Sequence, residues 1–208
     1  TSLGVYYLPL HTPANQNPVF HKVPSIPPKT WAFLTFRNKL LVATGDGVYH
    51  IPKKGKAQLL THSFSSLLYL SKKYPNRIYV ALSEGISILQ FNNGKWFTTG
   101  QLNGTIGSVR TMIEDKDGTL WLGTQQNGVQ HITFKEQSQH KIVDVSVPDF
   151  EIDNYGQKDG IVPDDVDLFY YRNQIHFAAQ KGLWRFDAKS NRFLHDLSLG
   201  PVVADTTR

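Results

Sequence analysis

Eight histidines, two adjacent carboxylate pairs and one acidic turn are the residues of this 208-residue chain whose types suit chemistry. His50 and His131 each stand three residues after a glycine, Gly47 and Gly128, in segments that otherwise look alike. Imidazoles at matched positions invite a metal reading, but no His-Glu-x-x-His pattern is present. Both are expected to pack or to face solvent. Asp115-Lys116-Asp117-Gly118 opens like a calcium loop, yet the later acidic ligands are missing, so a plain turn is expected. Glu114-Asp115 and Asp164-Asp165 have the carboxylates that general acid–base chemistry uses. Both pairs are expected in turns or loops, without the burial that raises a pKa. There is no Cys, which excludes disulfides and thiolate metal sites. No Gly-x-Ser-x-Gly elbow and no phosphate loop occurs. The chain is therefore read as non-enzymatic, with no catalytic residue, metal or cofactor assigned.

The bulk properties bound what remains. Hydrophobic residues make up 40% and charged residues 19%, the balance of a folded rather than a disordered chain. The net charge is +5, and its densest groups are Lys53-Lys54-Gly55-Lys56 and Lys72-Lys73. Both fall where turns are expected, so solvated turns are the reading, and no nucleic-acid partner is expected. No stretch approaches the roughly 18 apolar residues of a membrane span. The single Met is not the first residue, so a longer gene product or a processed chain is expected. Asn103-Gly104-Thr105 is a glycosylation sequon that has meaning only in a eukaryotic secretory protein.

Position along the chain is set by a repeat. Four segments align: "LLVATGDGVYHI" (40–51), "IYVALSEGISIL" (78–89), "LWLGTQQNGVQHI" (120–132) and "IHFAAQKGLWRF" (175–186). Each has an apolar run, a small residue, a polar turn ending in glycine, and a second apolar run. The small column is Ala43, Ala81, Gly123 and Ala178. The glycine column is Gly47, Gly85, Gly128 and Gly182, at spacings of 38, 43 and 54 residues. Gly4 begins a partial fifth copy, 43 residues before Gly47. An apolar run and turn precede each copy, and a shorter strand follows it, giving four short strands a, b, c and d per unit.

The inner strands lack strict alternation, so both of their faces must be covered. Repeated four-stranded units at this period imply a β-propeller. The fold class is thus all-β, a propeller of four-stranded antiparallel blades, with about four complete blades and partial blades at the ends. The boundaries are 1–23 (partial), 31–62, 65–100, 107–148, 165–198 and 199–208 (partial). Strand b lies where neighbouring sheets converge, which explains the small column. The glycine column suits a positive φ in the b-to-c turn. Trp31, Trp96, Trp121 and Trp184 occupy repeat positions and are expected in the core. Either the termini share a fifth blade in a closed ring, or the chain is part of a larger propeller. The lack of a convincing strand b in a shared blade favours the second arrangement.

"VRTMIEDKDGTLWLGTQQNGV" resembles the two-component regulator propeller repeat, through Glu-Asp, the glycine turn, Leu-Trp-Leu-Gly-Thr and the closing Gly-Val. "YGQKDGIVPDDVDLFYYRNQIHFAAQKGLWRFDAKSNRF" resembles it as well. The resemblance implies a periplasmic sensor, the extracytoplasmic part of an inner-membrane receptor. Its output would be a histidine kinase, often a hybrid, or a diguanylate cyclase. It also implies a small-molecule ligand, with a glycan fragment as the named candidate, contact with the rest of the same receptor polypeptide, and a homodimer. A protein-interaction scaffold is the alternative, and a propeller enzyme fragment is disfavoured.

Long connections on a rigid scaffold carry binding groups. The a-to-b turns are short and charged, whereas "KVPSIPPKT", "THSFSS", "QLNGTIGS" and "DNYGQKDGIVPDDV" are long and irregular. The ligand is therefore expected at the b-to-c and d-to-a connections. The candidate residues are Asp46, Glu84, Gln125, Gln126, Asn127, Tyr155, Asp159 and Lys181. Tyr155, Ile161 and Val162 are expected to give the 154–165 connection the apolar part of a pocket.

Overall fold

The computed structural model describes residues 3–9, 17–135 and 148–200. The chain divides into two compact units, Thr1–Leu68 and Tyr69–Arg208. The first holds a two-stranded sheet, β1 (Tyr6–Tyr7) with β2 (His21–Lys22), and a four-stranded blade. That blade runs β3 (Thr30–Phe36), β4 (Lys39–Thr44), β5 (Gly47–Ile51) and β6 (Gln58–Thr61), in order. The next blade is β7 (Ser65–Leu70), β8 (Arg77–Leu82), β9 (Ile86–Asn92) and β10 (Lys95–Leu102), with β7 crossing the unit boundary.

Two further blades lie wholly in the second unit. One is β11 (Val109–Glu114), β12 (Leu120–Thr124), β13 (Val129–Phe134) and β14 (Phe150–Tyr155). The other is β15 (Asp167–Tyr171), β16 (Gln174–Ala179), β17 (Gly182–Asp187) and β18 (Arg192–His195). Every blade is an antiparallel meander, as the repeat requires. The fold is a β-propeller. The expected partial strand in 201–208 lies outside the described residues.

Turn chemistry explains the tight connections. Arg37 and Asn38 both have positive φ, as do Arg172 and Asn173, so two of the a-to-b turns are of the mirror-image type that matches strand twist. Asn93-Gly94 does the same between β9 and β10. Gly128, with φ +69°, has no room for a side chain: a Cβ there would lie 2.3 Å from the Tyr155 carbonyl oxygen.

Burial follows the strand order. β8 and β12 are buried along nearly their whole length, while β6 and β14 are largely open. Ala43 and Ala81 are fully buried, and Ala178 is half-buried. At Gly123 a Cβ would meet the Val166 carbonyl oxygen at 2.1 Å. At Gly123 the small column is thus a place where the lead-in to the next blade touches strand b. The core of the second unit gathers Trp121, Tyr155, Phe177, Trp184 and Phe193 with Val129, Ile161, Val166 and Leu168.

Three expectations need correction. The fourth strand of the third blade is Phe150–Tyr155, beyond the expected boundary at 148. Its register sets Phe150 opposite Phe134, Ile152 opposite Ile132 and Tyr155 opposite Val129. These apolar cross-strand pairs explain why this segment is the partner. The irregular run at 136–147 lies outside the described residues.

Secondly, not every Trp is core. Trp121 and Trp184 are buried, Trp96 is half-buried against Phe91, and Trp31 is 56% exposed. β3 alternates, so Trp31 shares its outward face with Phe33, and its ring lies against Phe64. Thirdly, Glu114 is not a solvated turn residue. It ends β11 and is 1% exposed.

Candidate functional site

Two of the four b-to-c turns are held by a threonine that follows the small column. Thr124 donates its hydroxyl to the Gly128 carbonyl at 2.8 Å and accepts the Asn127 N–H at 2.9 Å. Thr44 repeats this with the Gly47 carbonyl at 2.8 Å and the Asp46 N–H at 3.2 Å. Both threonines are fully buried. The sequence signal was available, since Ala43-Thr44 and Gly123-Thr124 share a column.

The expected site residues fall into two groups. Asp46, in the first unit, and Glu84, Gln125, Gln126, Asn127 and Lys181, in the second, are exposed at b-to-c turns. Gln125 donates its N–H to the Ser108 carbonyl at 3.0 Å, which joins this turn to the connection before β11. No hydrogen bond or ion pair joins Glu84 or Lys181 to that turn among the described residues.

Tyr155 and Asp159 behave differently. Tyr155 is 5% exposed, its ring packs against Trp121, Phe186 and Phe193, and its hydroxyl donates to Asn191 at 3.0 Å. Burial pushes its pKa up, with help from Asp153 and Asp159. Asp159 accepts the Gly156 N–H at 2.9 Å and closes a short 3-10 turn, Gln157–Asp159. Ile161 is fully buried, and Gly160 sits against the Phe193 carbonyl. The expected apolar half of a pocket is therefore packing between two blades.

A concave site lies instead at the opposite ends of the strands. A cleft of about 320 Å³ is lined by Lys72, Lys73, Glu114, Asp115, Lys116, Asp117 and Tyr170. The β7–β8 turn, the β11–β12 turn and β15 each contribute to it, so three successive blades build it. Glu114 organises the cleft from within. Its carboxylate accepts the Ser71 hydroxyl at 2.6 Å and the N–H groups of Lys72 and Lys73. Its own N–H is donated to the Tyr69 hydroxyl oxygen at 3.0 Å.

Asp117 accepts both the N–H and the hydroxyl of Thr119, at 2.9 and 2.7 Å. Burial opposes its charge, but the Thr119 donors and nearby His131 hold its pKa below the usual carboxylate value. Lys73 reaches the Asp117 carbonyl at 2.5 Å, its stem lying in the space that a Cβ at Gly118 would fill. The Lys72 ammonium lies 5.2 Å from the Tyr170 ring centre.

Propeller architecture at this period, with the Gly-Thr step and glycine column in place, agrees with the comparison to known families. Residues 103–126 match the family described as two component regulator propeller. The chain thus carries one match to this repeat, at its third blade. The match spans the lead-in to β11, all of β12 and the first residues of the Gln125–Asn127 turn.

No curated protein matches the chain significantly. Among solved structures, it is similar to a protein named as the extracellular domain of a hybrid two component system from B. thetaiotaomicron. The identity is 16%, the TM-score 0.60, and the match covers 85% of this chain and 24% of that one. A one component system extracellular domain from the same organism matches at 18% identity and TM-score 0.56, over 82% and 22% of the two chains. A catalytically inactive virginiamycin B lyase from Staphylococcus aureus, solved with Quinupristin, matches at 11% and 0.57, over 87% and 59%. At these identities the likeness establishes the propeller fold. The chain spans about a quarter of the length of the two receptor domains it matches. No helix among the described residues is long and apolar enough to cross a membrane.

Two polar pairs escaped the sequence reading. His176 and Asp196 are buried and lie 2.5 Å apart, and the other His176 ring nitrogen faces the Tyr171 carbonyl at 3.2 Å. Both ring nitrogens are engaged, so this pair latches the end of β18 to β16 rather than offering a base. Arg110 bridges Asp165 and Asp167 at 2.9 and 3.2 Å across two blades, on an exposed surface where such pairs contribute little.

His131 yields a pH prediction. It lies flat on Trp121, with ring centres 3.9 Å apart. Burial lowers its pKa, against the pull of Asp153, Asp117 and Asp115. A folded-state value below the unfolded 6.5 means that the unfolded chain binds the proton more readily. Stability is then complete above pH 6.5 and falls as pH drops through the lower value. Urea midpoints measured from pH 7.5 to 5 should decline in the wild type and decline less in His131→Phe. Parallel declines in the two proteins contradict the assignment.

Proposed function

We propose that the chain is a non-enzymatic, ligand-sensing propeller in the periplasmic part of a bacterial membrane receptor. The receptor is a homodimer whose output, a histidine kinase or a diguanylate cyclase, lies elsewhere on the same polypeptide. The observation that carries the reading is the repeat match at 103–126, and the likeness to extracellular receptor domains supports it. The ligand is a small molecule of glycan type. It binds in the cleft at the β7–β8 and β11–β12 turns, the concave surface with polar groups and an aromatic ring that such a ligand needs. Binding biases the arrangement of the three blades that line it, and differential affinity for two arrangements is what signalling requires. The lyase likeness is one of fold. His176–Asp196, the described pair that most looks like an acid–base dyad, is buried with its ring nitrogens occupied.

The exposed b-to-c groups Glu84, Gln125, Gln126, Asn127 and Lys181 are the rival contact surface. Thermal shift with a panel of sugars and oligosaccharides decides. A ligand at 100 times its Kd should add roughly 2.7 kcal/mol. Tyr170→Ala should abolish that shift and Gln126→Ala should leave it. The reverse pattern puts the ligand at the b-to-c turns.

A further inference from the structure

Three sequence features that read separately as solvated turns meet in one cleft: Lys72-Lys73, Glu114-Asp115 and the Asp115-Lys116-Asp117-Gly118 turn. What the cleft can bind depends on which of its groups still have hydrogen bonds to make. Glu114 is committed to Ser71 and to two backbone N–H groups. Asp117 gives one oxygen, Oδ1, to both Thr119 donors, and the Lys73 ammonium is committed to the Asp117 carbonyl. A calcium reading fails because both Glu114 oxygens face protein donors and three lysines, Lys72, Lys73 and Lys116, line the same cleft.

Two ammonium groups and two carboxylate oxygens, one each on Asp115 and Asp117, remain. The Lys72 side chain is exposed and, among the described residues, its ammonium meets only the Tyr170 ring, a contact that an oxyanion easily outcompetes at an open site. Lys116 is exposed, and its side chain has no hydrogen bond or ion pair among the described residues. Asp115 uses one oxygen, Oδ1, for the Lys116 N–H at 2.7 Å and, weakly, for the Tyr170 hydroxyl at 3.5 Å. Its second oxygen is open to a donor from outside.

Each ligand class leaves a different remainder. A neutral sugar satisfies Asp115 but gives the two ammonium groups no anion. A bare inorganic anion satisfies the ammonium groups but faces the Asp115 carboxylate without a donor to offer it. A molecule that carries both a carboxylate and hydroxyls serves the ammonium groups and the carboxylate oxygens together, and charge-assisted hydrogen bonds to it are the strong ones. The volume of about 320 Å³ suits one ring, at the small end of ligand sites. The net charge of +5 favours the approach of an anion.

We propose that the cleft binds a sugar acid, its carboxylate between Lys72 and Lys116, a hydroxyl donating to Asp115 and its ring against Tyr170. The inference names the ligand chemistry of the sensing site and rests on that reading.

Titration calorimetry of the full chain with glucuronate, glucose and sodium sulfate tests it. Glucuronate should bind at least tenfold more tightly than either of the others. Lys72→Gln with Lys116→Gln should weaken glucuronate at least tenfold, and Lys54→Gln, in a turn of the first blade, should not change it. Asp115→Asn should weaken glucuronate and leave sulfate no weaker. Equal affinity for glucose and glucuronate overturns the proposal, and so does full glucuronate binding by the double lysine variant. Glucuronate bound with these preferences, but without output from a receptor that carries the chain, upholds the cleft and overturns the sensing reading.

Discussion

Gly123→Leu should destabilise the chain by about 3 kcal/mol or more, at the top of the range for overpacking. The cause is backbone rather than side chain. A Cβ at this position would stand 2.1 Å from the Val166 carbonyl oxygen, 2.4 Å from Leu168 Cδ1 and 2.7 Å from Thr111 Oγ1. Leu168 and Thr111 have some freedom to shift. Val166 does not, because its N–H is held by the Thr124 carbonyl at 3.0 Å, on the strand that bears Gly123. Relieving the clash therefore means separating β12 from the lead-in to β15. Ala81→Leu, at a fully buried site in the same column, should cost about 1–3 kcal/mol. Lys116→Ala, in an exposed turn, should stay within about 0.5 kcal/mol. Urea unfolding of the three variants checks the order. A Gly123→Leu midpoint equal to that of Lys116→Ala contradicts the packing account.

Glu114→Ala should cost about 3 kcal/mol, through hydrogen bonds to a charged group rather than through size. Its carboxylate takes the Ser71 hydroxyl and the N–H groups of Lys72 and Lys73. The side chain is 1% exposed, so truncation strands these donors in a place that water reaches poorly. Glu114→Gln keeps the shape and one acceptor oxygen, and should cost about half as much. The cleft should loosen along with the fold, because the Ser71–Tyr74 turn loses its anchor. The Tyr74 N–H is itself donated to the Ser71 hydroxyl at 2.9 Å. Thermal melts at pH 7 should rank wild type above Glu114→Gln above Glu114→Ala. Equal melting temperatures for the wild type and Glu114→Ala contradict the role given to this residue.

What was legible in the sequence was local. The glycine column is a demand of single turns, and Gly47, Gly85, Gly128 and Gly182 all have positive φ. The small column was legible because small residues recur at matched positions, and Ala43, Ala81 and Gly123 are buried. Asn38 and Asn173 announced their turns by residue type. Contacts between blades were not legible, and they decide the site. Ser71 lies 43 residues before Glu114, so nothing near Glu114 shows that its carboxylate is capped. That separation equals the spacing of Gly85 and Gly128, so partners offset by one repeat were the signal to use.

Tyr155 misled for a related reason. Its neighbours Asp153, Asn154 and Gly156 look like loop, yet it ends a strand whose partner, Val129, is 26 positions earlier. Polar neighbours are ordinary on an outermost strand with one open face, and they hid a core ring. The short, charged a-to-b turns were set aside as too small to form a pocket. One such turn alone is too small. The cleft arises because the Glu114 carboxylate holds the β7–β8 turn beside its own turn, and Tyr170 of a third blade's first strand lines the same hollow.

The central claim is that this propeller binds a small molecule and returns it unchanged. The most direct measurement is to hold the chain with the sugar that raises its melting temperature, follow binding to saturation, and recover the sugar for mass spectrometry. The account predicts saturation at one molecule per chain and a recovered mass identical to the starting one. A changed mass, produced beyond one equivalent, makes the chain an enzyme and contradicts the account. So does a chain that no small molecule stabilises but a periplasmic protein does.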